Sequence, residues 1–118
     1  MRCRIILKYK HRRRYIGFYI DKLDKKNVVK KFDLINEIKN KCNEIYKTNT
    51  KSLGIFLIEF DGYKGIIKCN HIKKEETIII LNSINKLSNI RVKIFTVGTS
   101  GTLKKLRIKH MDKLIIFL

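Results

Sequence analysis

The chain has 118 residues, with 28 Lys and Arg against 10 Asp and Glu, a formal net charge of +18. That length supports one domain around one core, and an apolar fraction of 44% with no proline and six glycines excludes a disordered tail. The charge exceeds the roughly 2 to 8 that suffices to keep a small domain soluble, so it implies a polyanionic partner: nucleic acid, whose phosphates release counterions when neutralised, or an anionic membrane surface.

The chain opens on a basic arm, residues 1–14. Seven cations (Arg2, Arg4, Lys8, Lys10, Arg12, Arg13 and Arg14) stand there without an acid. The run Lys10 to Arg14 reads as a flexible arm that orders on RNA, because the Arg fork suits phosphate. These residues are too charged for the apolar part of a signal peptide. No apolar run approaches the roughly 18 residues that span a bilayer, so no membrane partner is expected. Cys3, Cys42 and Cys69 have no paired spacing. They read as reduced thiols of a cytoplasmic protein, Cys42 and Cys69 in the core.

Residues 15–110 read as a single domain. Tyr15 to Ile20 alternates as a strand, with Ile16, Phe18 and Ile20 on one face and Tyr15, Gly17 and Tyr19 on the other. Asp21 to Asn27 reads as a loop. From Val28 the period changes, and Val28, Phe32, Ile35, Ile38, Cys42 and Ile45 mark one face of a long amphipathic helix. Leu53 to Phe60 is a strand with apolar residues on both faces, as expected of a strand covered on both sides.

Asp61-Gly62-Tyr63 signals a hairpin, and Lys64 to Asn70 forms the third strand. His71 to about Leu87 reads as a second helix packing Thr77, Leu81 and Ile84, with Ile80 and Leu87 close by. The β-branched run from Thr77 to Ile80 makes its intrinsic propensity weak. Ile90 to Val97 is the fourth strand. Gly98 to Thr102 then leads into a basic helix with Ser100 as a plausible N-cap, placed to cover the open face of the sheet. Residues 111–118 form an apolar tail ending in Leu114-Ile115-Ile116-Phe117-Leu118, suited to packing back or docking on a partner.

The order predicts an α+β, ferredoxin-like/RRM-like β-α-β-β-α-β sandwich, with a four-stranded antiparallel sheet and a C-terminal basic helix. The RNA-recognition-motif mode needs aromatics in strand three on which bases stack. Lys64-Gly65-Ile66-Ile67-Lys68-Cys69 supplies none. Tyr15 and Tyr19 read as core or interface tyrosines. The loop Gly98 to Thr102 is small enough for backbone N–H groups to approach a phosphate, with Lys104, Lys105 and Arg107 following. A catalytic site is hard to build. Glu59 and Asp61 form no metal cluster, and His11, His71 and His110 lack a nucleophile partner. An acylphosphatase-like phosphohydrolase would need an Arg-bearing phosphate loop after strand one, where this chain has Asp21-Lys22-Leu23-Asp24.

Four segments carry a family resemblance: Arg13-Arg14-Tyr15-Ile16, Ile58-Glu59-Phe60-Asp61, Gly65-Ile66-Ile67-Lys68-Cys69-Asn70, and Val97-Gly98-Thr99-Ser100-Gly101-Thr102-Leu103. In this order and spacing, over roughly Arg12 to Lys109, the chain resembles the ribonuclease P protein component 2 family. That family is the archaeal counterpart of a eukaryotic ribonuclease P and MRP subunit. The family often has prolines ahead of the Arg-Arg-Tyr segment, and this chain has none.

The resemblance implies a subunit of a particle whose RNA cleaves precursor tRNA to its mature 5′ end, the isolated protein being non-catalytic. It implies partners: the ribonuclease P RNA, precursor tRNA, and a barrel-like component 3 in a heterotetramer around a central dimer of this subunit. Mg2+ would serve the RNA, with no metal or cofactor on the protein. The RNA-binding residues expected are Arg12, Arg13, Arg14, Lys68, Asn70, Ser100, Gly101, Thr102, Lys104, Lys105 and Arg107. The alternatives are another RNA-binding accessory factor, ribosomal or tRNA-binding, and the small phosphohydrolase.

Overall fold

The computed structural model describes residues 12–22 and 28–111. Its elements are β1 (Arg13–Lys22), α1 (Lys31–Tyr46), β2 (Phe56–Phe60), β3 (Lys64–Asn70), a 3-10 turn (His71–Lys73), α2 (Lys74–Ser83), β4 (Lys86–Leu87), β5 (Ile90–Ser100) and a short α3 (Leu103–Leu106). A wider π-type turn, Arg107–Met111, continues from α3. The sheet order is β2-β3-β1-β5-β4, every pair antiparallel. Apart from β4, this is the expected split βαβ arrangement.

The extra strand has a local cause. The second helix does not run to Leu87; it ends at Ser83, whose hydroxyl donates to the Ile80 carbonyl. Ile84 turns to an extended conformation, ψ 120°. Ser88 and Asn89 then adopt positive φ, 46° and 73°, which suits a tight hairpin. That hairpin pairs Lys86 with Arg91 and Leu87 with Ile90 and buries Leu87.

One face of the sheet carries the main core. Ile16, Phe18 and Ile20 of β1 cluster with Leu34, Ile38 and Cys42 of α1 and with Ile80 and Leu81 of α2. Phe18 stacks on Phe60, ring centres 6.1 Å apart. Gly65 stands opposite Phe18 in the ladder, and a Cβ there would lie 2.7 Å from both the Phe18 ring and the Glu59 carbonyl. Only glycine lets that ring pass. The β2–β3 hairpin is held by Asp61, whose carboxylate accepts from the backbone N–H of Tyr63 and Lys64 at 2.9 and 2.8 Å, while Gly62 takes φ +96°.

The buried stripe of α1 differs from the expected one. Val28 lies before the helix and, like Phe32, is exposed, and Ile45 is only partly covered at 38% exposure. Leu34, absent from the expected stripe, takes the core place beside Ile38 and Cys42. Starting the helix at Lys31 centres its apolar arc on 34, 38 and 42, and Phe32 falls roughly a quarter-turn or more outside it.

The second face has its own small cluster. Ile66 of β3 and Leu106 of α3 are both fully buried, packed with Tyr15, Tyr19, Ile58, Tyr63, Val97 and Leu103. The basic helix therefore does lie across the second face; of β2, Ile58 packs there, Leu57 and Phe60 pack in the main core, and Phe56 stays 62% exposed.

Candidate nucleic-acid interface

The sheet register decides which basic residues meet. β1 pairs Arg13 with Asn70 and Arg14 with Cys69 on the β3 side, and Tyr15 with Ser100 on the β5 side. The start of β1 thus lies between the ends of β3 and β5. This single end of the sheet gathers Arg12, Arg13, Arg14, Asn70, Ser100 and Gly101, although they come from three distant parts of the sequence. Strand β1 starts at Arg13, two residues earlier than the alternation predicts, so Arg13 and Arg14 are fixed by the ladder and do not belong to a free arm. Residues 1–11 of the expected arm lie outside the described residues, as do residues 112–118 of the apolar tail.

Arg12 and Arg13 are exposed, and Arg14 is half-buried. The Arg12 carbonyl accepts from the His71 backbone N–H at 3.0 Å, which extends the pairing one step beyond the strand. One Arg14 guanidinium nitrogen donates to the Arg13 carbonyl at 3.3 Å. The same nitrogen lies 3.2 Å from where a Gly101 Cβ would be. Glycine at 101 therefore lets the Arg14 fork lie against the chain where it leaves the sheet.

The segment expected as a glycine-rich loop is largely strand. β5 continues through Ser100, with Gly98 opposite Gly17 and Thr99 opposite Ile16. The helix N-cap is Thr102, not Ser100: the Thr102 hydroxyl accepts from the Lys105 N–H at 3.3 Å. Ser100 Oγ instead accepts from the Thr102 N–H at 3.3 Å and shapes the turn ahead of the cap. The strand runs on because the pairing partners at Tyr15, Ile16 and Gly17 are available, and the cap then falls to the next hydroxyl, two residues later.

The remaining predicted site residues lie on β3 and on the chain that follows Gly101. Lys68 stands opposite Tyr15 and carries its ammonium over the Phe56 ring, 5.4 Å from its centre. Lys104 and Lys105 are exposed on α3. Arg107 pairs with Glu59 of β2 at 3.1 Å, both side chains about half exposed. That pair ties the far end of α3 to the edge strand.

His71 was not among the predicted site residues. It opens the 3-10 turn beside the arginine cluster, and its Nδ1 is buried with no hydrogen-bond partner among the described residues. Burial, then Arg14, Arg12 and Lys74, hold its pKa below the ordinary histidine value. Cys42 and Cys69 are buried free thiols whose pKa burial raises, which is the inert, structural condition for cysteine.

Sequence reasoning also missed an aromatic row on the second face. Tyr19 stacks on Phe95 at 5.1 Å and sits 5.8 Å from Tyr63. From the sequence, Tyr19 reads as a core or interface tyrosine; the row it joins spans β1, β5 and the hairpin. The alternation of β5, with Phe95 in step with Arg91 and Lys93, was the available signal.

Among the described residues no group of three His, Cys, Asp or Glu side chains is arranged to hold a metal ion. Among the described residues no helix is long and apolar enough to cross a membrane. Asp21 and Lys22 of the segment where a phosphohydrolase would carry its phosphate loop lie in β1, and Leu23 and Asp24 fall outside the described residues.

Ribonuclease P protein component 2 of Methanosarcina acetivorans is 24% identical over 115 residues, which is 97% of this chain and 85% of that protein. The component 2 of Archaeoglobus fulgidus is 27% identical over 104 residues, 86% of this chain and 90% of that one. A chain in the cryo-EM structure of yeast ribonuclease MRP shares the fold, with a TM-score of 0.65 at 14% identity over 90% of this chain and 86% of that chain. The model of the Rpp14/Pop5 family matches residues 14–111, from the arginine cluster through the turn that follows α3, and the chain belongs to that family.

Proposed function

We propose that this protein is an RNA-binding subunit of ribonuclease P, which holds the particle's RNA in the shape that removes the 5′ leader from precursor tRNA. Membership of the Rpp14/Pop5 family supports the particle. The observation that carries the contact surface is the β1 register, which collects Arg12, Arg13 and Arg14 with Asn70, Ser100 and Gly101 at one end of the sheet. Such a cluster offers forked cationic donors beside small polar residues and exposed backbone, a combination suited to phosphate oxygens.

In this reading catalysis belongs to the RNA and its Mg2+, and the protein alone has no activity. The protein works in the cytoplasm with a component 3-type partner in a heterotetramer built around two copies of itself. Lys104 and Lys105 add to the electrostatic field, while Arg107 serves the fold through Glu59. Affinity purification from the source cell tests the assignment. Ribonuclease P RNA and precursor tRNA in the eluate support it, whereas ribosomal RNA without ribonuclease P RNA refutes it.

A further inference from the structure

The arginine cluster occupies one end of the sheet. The opposite end carries a different chemistry, set by the same register. Lys64, Tyr19 and Phe95 stand in one row across β3, β1 and β5, and Asp21 and Lys93 pair two rows on. Tyr19 and Phe95 lie nearly parallel, 20° apart, with centres 5.1 Å apart. The Lys93 ammonium sits 5.2 Å from the Phe95 ring centre. Leu106 buries Ile66 and reaches Tyr15, Tyr19 and Tyr63, but Phe95 is outside that cluster and stays half-exposed.

A half-exposed ring among cations is a poor seat for an apolar protein surface, which would have to desolvate the charges. Among the described residues four cations, Lys64, Lys86, Arg91 and Lys93, stand at this end against two carboxylates, Asp21 and Asp61, and Asp61 is already engaged in capping the hairpin. Positive charge interleaved with stacked aromatic rings is the chemistry that holds single-stranded nucleic acid, the rings taking base faces and the cations the flanking phosphates.

We propose that this end of the sheet is a second RNA contact, which stacks an unpaired nucleotide on Phe95 beside Tyr19 while Lys93 and Arg91 hold its phosphates. The proposal rests on the RNA-binding reading above and adds a mode to it: the arginine end takes backbone and shape, and this end takes an unstacked base. It also explains why a strand-three test for stacking residues misses the site, since the platform is built on β1 and β5.

The test uses the full chain, a short oligouridylate and an RNA duplex. Phe95→Ala is expected to weaken oligouridylate binding about tenfold or more while leaving its salt slope and the duplex affinity unchanged. Phe95→Leu keeps the apolar bulk and removes the ring face, so it is expected to lose the same affinity with an unchanged melting temperature. Oligouridylate carrying 4-thiouridine is expected to crosslink to Phe95 or Tyr19. Unchanged oligouridylate affinity in a folded Phe95→Leu protein overturns the proposal, as does a crosslink confined to the Arg12–Arg14 end. Loss of a protein partner with RNA affinity intact also overturns it and makes the patch a protein interface. Failure of the wild-type chain to bind ribonuclease P RNA at all is a different result, and it removes the functional assignment itself.

Discussion

The two faces of the sheet are built to different standards. The helix-covered face sets Ile16, Phe18 and Ile20 against Leu34, Ile38, Cys42, Ile80 and Leu81 in one continuous cluster. The other face has two fully buried residues, Ile66 and Leu106, ringed by half-buried tyrosines. The first face can supply most of the folding free energy. The second is thin enough to leave rings and cations at its margins for a partner, and the short helix that covers it is held by one hydroxyl cap and one exposed ion pair.

Substitutions on the two faces should separate these roles. The largest effect belongs to Phe18→Ala, which empties a fully buried aromatic site in the main core and should cost about 3 to 5 kcal/mol in urea unfolding. Leu106→Ala removes an equally buried side chain from the thin layer. It should cost about 2 kcal/mol, at the low end for such a change, with amide shifts confined to Tyr15, Tyr19, Tyr63 and their neighbours. Equal costs for the two would erase the contrast. Thr102→Ala loses the cap on α3 and should cost about 1 kcal/mol. Arg107→Gln breaks an ion pair whose members are both about half exposed. It should change stability by less than about 1 kcal/mol and leave the salt dependence of RNA binding nearly intact.

A pH dependence sharpens the contrast at the arginine end. The folded pKa of His71 is lowered from its ordinary value of 6.5, first by burial and then by Arg14, Arg12 and Lys74. The folded state therefore binds fewer protons than the unfolded chain just below 6.5. Its contribution to stability is intact above that value and is lost as pH falls through it. Melting temperature should drop on acidification from about pH 7.5 to about 5.5, and His71→Asn should flatten that drop. Phosphate placed beside the cluster favours the charged imidazole, so RNA binding should be accompanied by proton uptake in the same range, measurable by titration calorimetry in two buffers.

Much of the fold was legible in the residues. The alternation of Ile16, Phe18 and Ile20 and the order of elements gave the split βαβ sheet, and the two-sided β2 pointed to a second layer, which takes Ile58 but leaves Phe56 exposed. The errors fall where tertiary pairing overrides local pattern. Val28 and Phe32 fit a helical period, but Val28 precedes the helix, which begins at Lys31, and Phe32 points away from the arc of Leu34, Ile38 and Cys42. Leu87 continues a helical spacing yet belongs to a hairpin set by Ser88 and Asn89. Gly98 to Thr102 reads as a loop from composition, but β1 offers Gly98 to Ser100 partners.

The site was half visible for the same reason. The individual cations stand out in the sequence, whereas their grouping depends on antiparallel register between segments far apart in the chain. That register joins Arg12 to Arg14 with Asn70 and Ser100, while the lie of α3 brings Arg107 to Glu59.

The grouping of Arg12, Arg13 and Arg14 as a phosphate-binding unit is tested most directly by the salt dependence of ribonuclease P RNA affinity, compared between the wild-type chain, the Arg12→Ala/Arg13→Ala/Arg14→Ala variant and Arg107→Gln. The triple variant should keep its melting temperature, lose affinity, and show a log–log salt slope shallower by about 2 to 3, roughly 0.9 per phosphate contact removed, while Arg107→Gln stays close to wild type. A triple variant with an unchanged slope, or an Arg107→Gln slope that falls as far, would contradict the account.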